Sequence, residues 1–191
     1  MALAETQALL ARLFTEEDLR REFFDAPVAV ATRFGLSMHD TQRLAAIDAC
    51  EIEAFARSLI GKRTLYARKA LPLTARALGD QFDALFREAI RGAARDASRS
   101  DATALAELLD RRVAKCELDP AWAADLARFE RAFIDAGGSG AAFILRRFDF
   151  DVATIAKDLA KGEDVRPIRR RTFGVWARMP RGRLRWRLFR F

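Results

Sequence analysis

Residues that could carry metal or nucleophilic chemistry are scarce in this chain of 191 residues. His39 is its only histidine, and its two cysteines, Cys50 and Cys116, are far apart in the sequence. A zinc site needs clustered His and Cys ligands, and a non-haem iron site needs two histidines and a carboxylate. No glycine-rich segment is followed by Lys and Ser or Thr, as a phosphate-binding loop would be. The sequence therefore predicts a protein that is not a self-sufficient enzyme and that holds no metal or cofactor itself.

The remaining features of these residues point to ordinary structural roles. His39 follows a predicted helix start, which favours a solvated or capping side chain. Both cysteines lie in helix-like surroundings and are expected to be packed thiols. The first residues carry acids early and lack the pattern of a signal peptide, and no run of about 18 apolar residues occurs. We therefore expect a cytoplasmic protein with no membrane-spanning segment.

Positive charge is concentrated near the C-terminus. The formal net charge is +7, and residues 166–191 contain ten Arg without Lys or acid, which leaves −3 for residues 1–165. A sign difference this sharp predicts a local binding surface at one end of the chain.

The first 135 residues have the periodicity of helices. Apolar residues recur every three to four positions, and Thr, Asp or Ser residues that cap helices precede several of these runs. Ser37, with Asp40 three residues later, and Asp48 predict two helix starts. Asp119 followed by Pro120 predicts a third start. The stretch AARDASRSDATA (93–104) predicts an exposed linker, and DAGGSGAAF (135–143) a hinge.

Alternation replaces helical periodicity in the last fifty residues. In RLRWRLF, the alternation places Arg183, Arg185 and Arg187 on one face and Leu184, Trp186 and Leu188 on the other. This period of two is typical of a half-buried antiparallel strand, so the aromatic residues are expected to face the core. PRG (180–182) predicts a hairpin turn. Asp151 and Gly162 bound a short predicted helix at 151–162.

These patterns predict a mainly α fold. We expect an N-terminal helical bundle followed by a small α+β, winged-helix-like module with a three-stranded antiparallel sheet. The predicted domains are a helical domain at 1–92, a linker with connecting helices at 93–135, and the α+β module at 136–191. The predicted strands are 143–149, 173–179 and 184–190. A winged-helix order would make the last strand central, whereas a simple meander would place it at an edge.

Three roles for the arginine-rich module remain open. A winged helix would bind DNA, since phosphate contacts dominate nucleic-acid affinity. The helix and the residues that end it, DVATIAKDLAKGED (151–164), however, carry four acids against two lysines, which makes this segment a poor reader of a major groove. A small sheet can instead capture an extended, acidic peptide by strand addition. The arginines could also simply solubilise the sheet.

Several stretches resemble a known family. They are LLARLFTEEDLRREFFDAPVAVATRFGLS, LAAIDACEIEAFARSLIGKR and LPLTARALGDQF in the helical part, and VWARMPRGRLRWRL near the C-terminus. Together they resemble the helical partner proteins encoded beside TIM-barrel multinuclear-iron oxidases in peptide natural-product pathways, such as MbnC of methanobactin biosynthesis and its relative TglI. The resemblance covers most of the chain.

The resemblance implies a recognition role. Members of this family pair with an oxidase such as MbnB and help to recruit the leader of a ribosomally synthesised precursor such as MbnA. The complex modifies cysteines of the core peptide, which become an oxazolone and a thioamide in the copper chelator methanobactin. The iron ligands belong to the oxidase. For this chain the resemblance implies a non-catalytic, cytoplasmic subunit of a heterodimeric complex, without a cofactor of its own.

We therefore expect two binding surfaces. The helices of residues 1–92 are predicted to dock the oxidase, and the candidate contacts are Lys62, Arg63, Tyr66, Arg68 and Lys69. The sheet is predicted to bind the leader peptide, and the candidates are Arg146, Arg147, Phe148, Val175, Trp176, Arg178, Arg185 and Arg187. The sequence leaves open which edge of the sheet would take the peptide. The alternative function is a winged-helix DNA-binding regulator.

Overall fold

The computed structural model describes residues 2–91, 98–138, 143–179 and 183–190. The helices within these ranges are α1 (Ala2–Thr15), α2 (Glu17–Asp25), α3 (Pro27–Arg33), α4 (Met38–Ala45), α5 (Ala49–Ala70), α6 (Pro72–Leu78), α7 (Gln81–Ile90), α8 (Ser98–Ala114), α9 (Ala123–Gly137) and α10 (Val152–Lys161). The strands are β1 (Phe143–Phe150), β2 (Arg169–Arg178) and β3 (Leu184–Arg190). The predicted fold class, mainly helical with a small C-terminal antiparallel sheet, is confirmed. None of the described helices is long and apolar enough to cross a membrane.

Three predicted features fall on residues beyond these ranges. The first part of the linker that was expected at 93–104, the centre of the glycine hinge at 135–143, and the turn at 180–182 lie outside the described residues. The second part of this linker prediction is wrong, because α8 begins at Ser98 and buries Asp101 and Ala102.

Local capping signals explain where several helices begin. Ser37 Oγ accepts a hydrogen bond of 3.1 Å from Asp40 N at the start of α4, and Asp48 accepts one of 2.8 Å from Cys50 N at the start of α5. Asp151 caps α10 in the same way through Thr154 N. The start predicted at Asp119 and Pro120 is wrong. The N–H groups of Ala123 and Ala124 each donate to the carbonyl oxygen three residues earlier, as in a turn of 3₁₀-helix. Helix α9 therefore begins only at Ala123.

The chain divides into two compact units, each with its own core. The first comprises Met1–Arg63 and Ile90–Asp96, and the second comprises Thr64–Ala89 and Ala97–Phe191. The core of the first unit is formed by Leu9, Leu13, Leu19, Phe23, Val30, Ala31, Leu44 and Ile52. The core of the second is formed by Leu126, Phe129, Ala132, Ala136, Ile144, Phe148, Val152, Ile155 and Trp176.

The sheet of the second unit has the strand order β1-β2-β3, with both pairs antiparallel. This is the order of a meander, in which β2 is central and β1 and β3 are the edges. Helix α10 connects β1 to β2, and α9 contacts both of these strands. Helix α9 thus covers one face of the sheet.

A buried carboxylate joins α9 to α6. Glu130, which is 7% exposed, accepts hydrogen bonds from Leu73 N (2.7 Å), Thr74 N (2.9 Å) and Thr74 Oγ1 (2.7 Å). These amides belong to the first turn of α6 and have no partner within that helix. Burial raises the pKa of Glu130, and the three hydrogen bonds oppose this effect.

Candidate peptide-binding surface

The register of the sheet sorts its side chains onto two faces. Ile144 lies opposite Trp176, and Trp176 lies opposite Trp186, so these residues share the face that α9 covers. Leu145 lies opposite Val175, and Val175 lies opposite Arg187, so these residues share the other face. We call these the core face and the outer face.

Two of the residues predicted to bind peptide belong to the core face and are fully buried. Phe148 and Trp176 are both 0% exposed, and Trp176 packs edge-on against Phe129 and Phe133, with ring centroids 5.9 and 5.5 Å away. Their side chains present no surface to a peptide. Alternation places both on the core face, because Phe148 lies four residues from the buried Ile144 in β1 and Trp176 lies four residues from the buried Thr172 in β2.

Two of the predicted arginines fasten the sheet to α9. Arg146 Nη2 lies 3.0 Å from Asp135 Oδ2. Arg178 donates from Nε to the carbonyl oxygen of Ala136 (3.1 Å) and from Nη2 to those of Ala136 and Gly138. These carbonyls end α9, where cations are favoured. Both guanidinium groups are therefore occupied within the second unit.

The other three predicted arginines lie on the outer face. Arg147 Nη2 lies 3.4 Å from Asp149 Oδ1, an exposed pair that contributes little stability. The guanidinium of Arg187 lies 5.7 Å from the ring centroid of Phe189. Arg185 is exposed and has no ion pair within the described part of the chain. Val175 is half-buried between these strands.

Sequence reasoning missed the apolar residues of the outer face. Phe143 is 61% exposed, Leu145 54% and Phe189 42%. The signal was available in FILRRFDF, because its alternation places Phe143 and Leu145 on the same face as Arg147 rather than with Ile144 and Phe148. Trp186, which was expected in the core, lies on the core face but at the rim of the sheet. It is 50% exposed while it packs against Phe133 at 5.3 Å.

Side chains of α9 occupy part of the β1 edge. Asp125, only 2% exposed, accepts hydrogen bonds from Asp149 N (2.8 Å) and Phe150 N (2.9 Å) and pairs with Arg128 Nη2 at 2.6 Å. Arg128 in turn donates to the carbonyl oxygen of Arg147 (3.0 Å). Burial raises the pKa of Asp125 above its ordinary value. Half of this edge is therefore unable to pair with another strand.

The β3 edge carries no such cover within the described residues. Met179 N donates to the carbonyl oxygen of Arg183 at 2.8 Å, which identifies this as a hydrogen-bonded pair. Hydrogen-bonded pairs recur every second residue in an antiparallel ladder, so residues 185, 187 and 189 also point their backbone groups toward β2. The N–H and C=O groups of Leu184, Trp186, Leu188 and Arg190 therefore point away from the sheet.

The residues predicted to contact an oxidase have mixed surroundings. Lys62, Tyr66 and Lys69 are exposed on α5, and Tyr66 is 56% exposed. Arg63 is half-buried and has a partner of its own. Arg68 pairs with Asp83 at 2.7 Å and stacks over the ring of Phe82 at 4.8 Å. An exposed Leu65 lies beside Tyr66.

Residues suited to metal chemistry do not come together in the structure. No group of three or more His, Cys, Asp or Glu side chains that could hold a metal ion occurs among the described residues. The side chain of His39 is 77% exposed. Cys50 and Cys116 are exposed free thiols, so the expectation that they are packed is wrong. Cys50 is the second residue of α5, and Cys116 comes two residues after the end of α8. Neither thiol therefore lies on the middle of a helix face that packs against the core.

Comparison with known protein families finds a match in the middle of the chain. Residues 38–111 match the family described as SCO6045-like, C-terminal domain. The match begins with α4 and ends within α8, which is less than half of the chain, and it does not include the sheet. No curated protein matches the chain significantly.

Proposed function

We propose that this chain is a non-catalytic recognition subunit that binds an extended peptide along β3 and presents it to an iron-dependent oxidase. The observation that carries the proposal is the uncovered β3 edge with Arg185 and Arg187 beside it. An added strand would hydrogen-bond to the outward N–H and C=O groups of residues 184, 186, 188 and 190, as in other strand-addition complexes.

Side chains on either side of this edge would select the peptide. Residues of the added strand on one side would lie beside Arg185 and Arg187, which favours carboxylates there. Residues on the other side would lie beside the exposed half of Trp186, which favours apolar side chains. Of the eight residues predicted to bind the peptide, Arg185 and Arg187 are the two that this arrangement uses directly.

The identity of the partner rests on the family resemblance described above. It supports a TIM-barrel multinuclear-iron oxidase as the partner in a cytoplasmic heterodimer, and the leader of a ribosomally made precursor as the peptide. Cysteines of the core peptide would be the modified residues, as in methanobactin biosynthesis. The exposed α5 residues Lys62, Tyr66 and Lys69 are the helical candidates for contact with the oxidase.

The peptide site is tested by a proline that removes one outward N–H. In Leu188→Pro the lost N–H points away from the sheet, so the β2–β3 ladder keeps its hydrogen bonds. Leu188→Ala removes the same side chain but keeps the N–H. The probe is the fluorescein-labelled leader of the precursor peptide encoded beside this protein. We expect Leu188→Pro to bind it at least about tenfold more weakly than Leu188→Ala does, because one backbone hydrogen bond to the peptide is lost. Fluorescence anisotropy measures both affinities.

Equal affinities of the two variants would show that the peptide does not add a strand at β3. Circular dichroism spectra and melting temperatures of both variants confirm that the fold persists. The same anisotropy measurement with a labelled DNA duplex tests the winged-helix alternative. Binding that falls steeply between 50 and 200 mM salt would favour DNA over peptide.

A further inference from the structure

The outer face of the sheet exposes a contiguous apolar patch. Across the three strands, Phe143 lies opposite Ala177, Leu145 opposite Val175, and Phe173 opposite Phe189. Phe143, Leu145 and Phe189 are each more than 40% exposed, whereas the core face beneath the same strands is buried against α9. We call these six residues the outer patch. Exposed apolar residues that adjoin one another mark interaction sites more often than scattered ones do.

Arginines border the outer patch with little internal compensation. Arg185 and Arg187 follow its β3 side, and Arg147 lies at one end of its β1 side. Asp149 is the acid that the described strands place on this face, and it is already paired with Arg147. The patch thus combines an apolar centre with a positive border, which is complementary to an apolar surface bordered by carboxylates.

This combination disfavours two other occupants. A second copy of the chain would bring the same arginines together, and like charges in contact oppose association. Single-stranded nucleic acid needs free aromatic faces on which bases stack. The exposed ring of Phe143 lies at the opposite corner of the outer patch from Phe189, and the residues between them, Leu145 and Val175, are aliphatic. The ring of Phe189 is already covered by the guanidinium of Arg187.

We infer that the outer patch docks a folded protein whose contact surface is apolar at its centre and acidic at its border, and that this protein is the oxidase of the proposed complex. The inference rests on the proposed function for the identity of the partner. It places the oxidase on the face adjoining the β3 edge, so that a peptide held at that edge lies beside the oxidase. It also assigns the contact to the sheet rather than to α5.

The outer patch can be changed without touching the peptide site. Leu145 lies on β1, and neighbouring strands are about 4.8 Å apart, so its backbone is about 10 Å from β3. We expect Leu145→Glu to weaken binding to the immobilised oxidase at least about tenfold, because it buries an unpaired charge against the apolar centre of the partner's surface. Its affinity for the labelled leader peptide should stay within about twofold of the wild type.

Two further substitutions of the same type complete the experiment. Leu3→Glu changes a leucine that is 71% exposed in the first unit, and should leave oxidase binding unchanged. Leu65→Glu tests the α5 alternative. Loss of oxidase binding in Leu65→Glu but not in Leu145→Glu would overturn the inference and assign docking to α5.

The remaining outcomes separate the inference from the proposed function. A wild-type chain that binds neither oxidase nor peptide would refute both. A wild-type chain that binds both, with Leu145→Glu unchanged, would refute the docking inference alone. Tight binding of fluorescein-labelled oligo(dT), lost in Leu145→Glu, would show that the outer patch binds nucleic acid instead of protein.

Discussion

Gly174 illustrates how a single residue can fix the core of the second unit. A Cβ at this position would lie 2.4 Å from atoms Cη2 and Cζ3 of Trp176 and 3.0 Å from Cδ2 of Leu188. The indole ring of Trp176 therefore lies directly over the glycine two residues earlier in β2. Because the ring is fully buried, any movement away from a new Cβ would have to displace its neighbours in the core.

We expect Gly174→Ala to lower the free energy of unfolding by about 1–3 kcal/mol, the usual cost of overpacking a core. Chemical denaturation followed by tryptophan fluorescence would measure it. Gly137→Ala is the matched control, because Gly137 ends α9 in the same unit and a Cβ there meets no atom within 4 Å. Unchanged stability of Gly174→Ala would mean that Trp176 can adopt another rotamer in this core.

At the level of elements, the closed β1 edge depends on one carboxylate. Asp125→Ala removes the acceptor of two backbone N–H groups of β1 and the partner of Arg128. Hydrogen bonds to charged groups contribute about 1.5–3 kcal/mol, so we expect a loss of at least this size in denaturant unfolding. Asp149→Ala is the control, since this exposed carboxylate pairs with an exposed arginine and should cost less than about 1 kcal/mol. Similar losses in both variants would contradict the assigned role of Asp125.

Two buried carboxylates make the stability of these elements depend on pH. Burial raises the folded-state pKa of both Asp125 and Glu130, so the folded state retains protons that the unfolded state has already released. The free energy of unfolding should therefore fall as the pH rises through these raised pKa values, by about 1.4 kcal/mol for each unit of pKa difference. Urea unfolding at several pH values from about 4, the ordinary pKa of these carboxyl groups, upward measures this slope. Glu130→Gln should show a shallower slope, and an identical or opposite slope would count against the raised pKa.

Elements were predictable where the signal is local, and less so where it depends on packing. Ser37 and Asp151 were correct as helix caps because the cap satisfies amides two or three residues away. The three strands were predicted from the alternation of RLRWRLF, the PRG turn before it and the Phe- and Ile-rich composition of 143–150, although β2 begins at Arg169, four residues before the predicted start. The role of Asp125 was not predictable, because its backbone partners lie 24 and 25 residues away in the sequence. For the same reason, Arg146 and Arg178 were assigned to peptide binding although they contact α9.

For the whole molecule, the position of the tryptophans offers a way to examine each unit by itself. Trp122, Trp176 and Trp186 all belong to the second unit, so fluorescence follows that unit, whereas circular dichroism follows the helices of both. Leu13 lies in the core of the first unit. We expect Leu13→Ala to lower the denaturant midpoint of unfolding measured by circular dichroism and to leave the midpoint measured by tryptophan fluorescence unchanged. The free energy of unfolding of the first unit should fall by about 2–5 kcal/mol. A parallel shift of both midpoints would mean that the two units unfold together.

The two edges of the sheet have a further consequence that polymer chemistry describes well. A monomer with one reactive end can only terminate a growing chain, whereas a monomer with two can propagate it. Asp125 and Arg128 leave this sheet with one fully available edge among the described strands, so strand pairing between copies would stop at two molecules. A chain in which α9 released β1 would have two such edges, and the same pairing would then continue without limit into fibres.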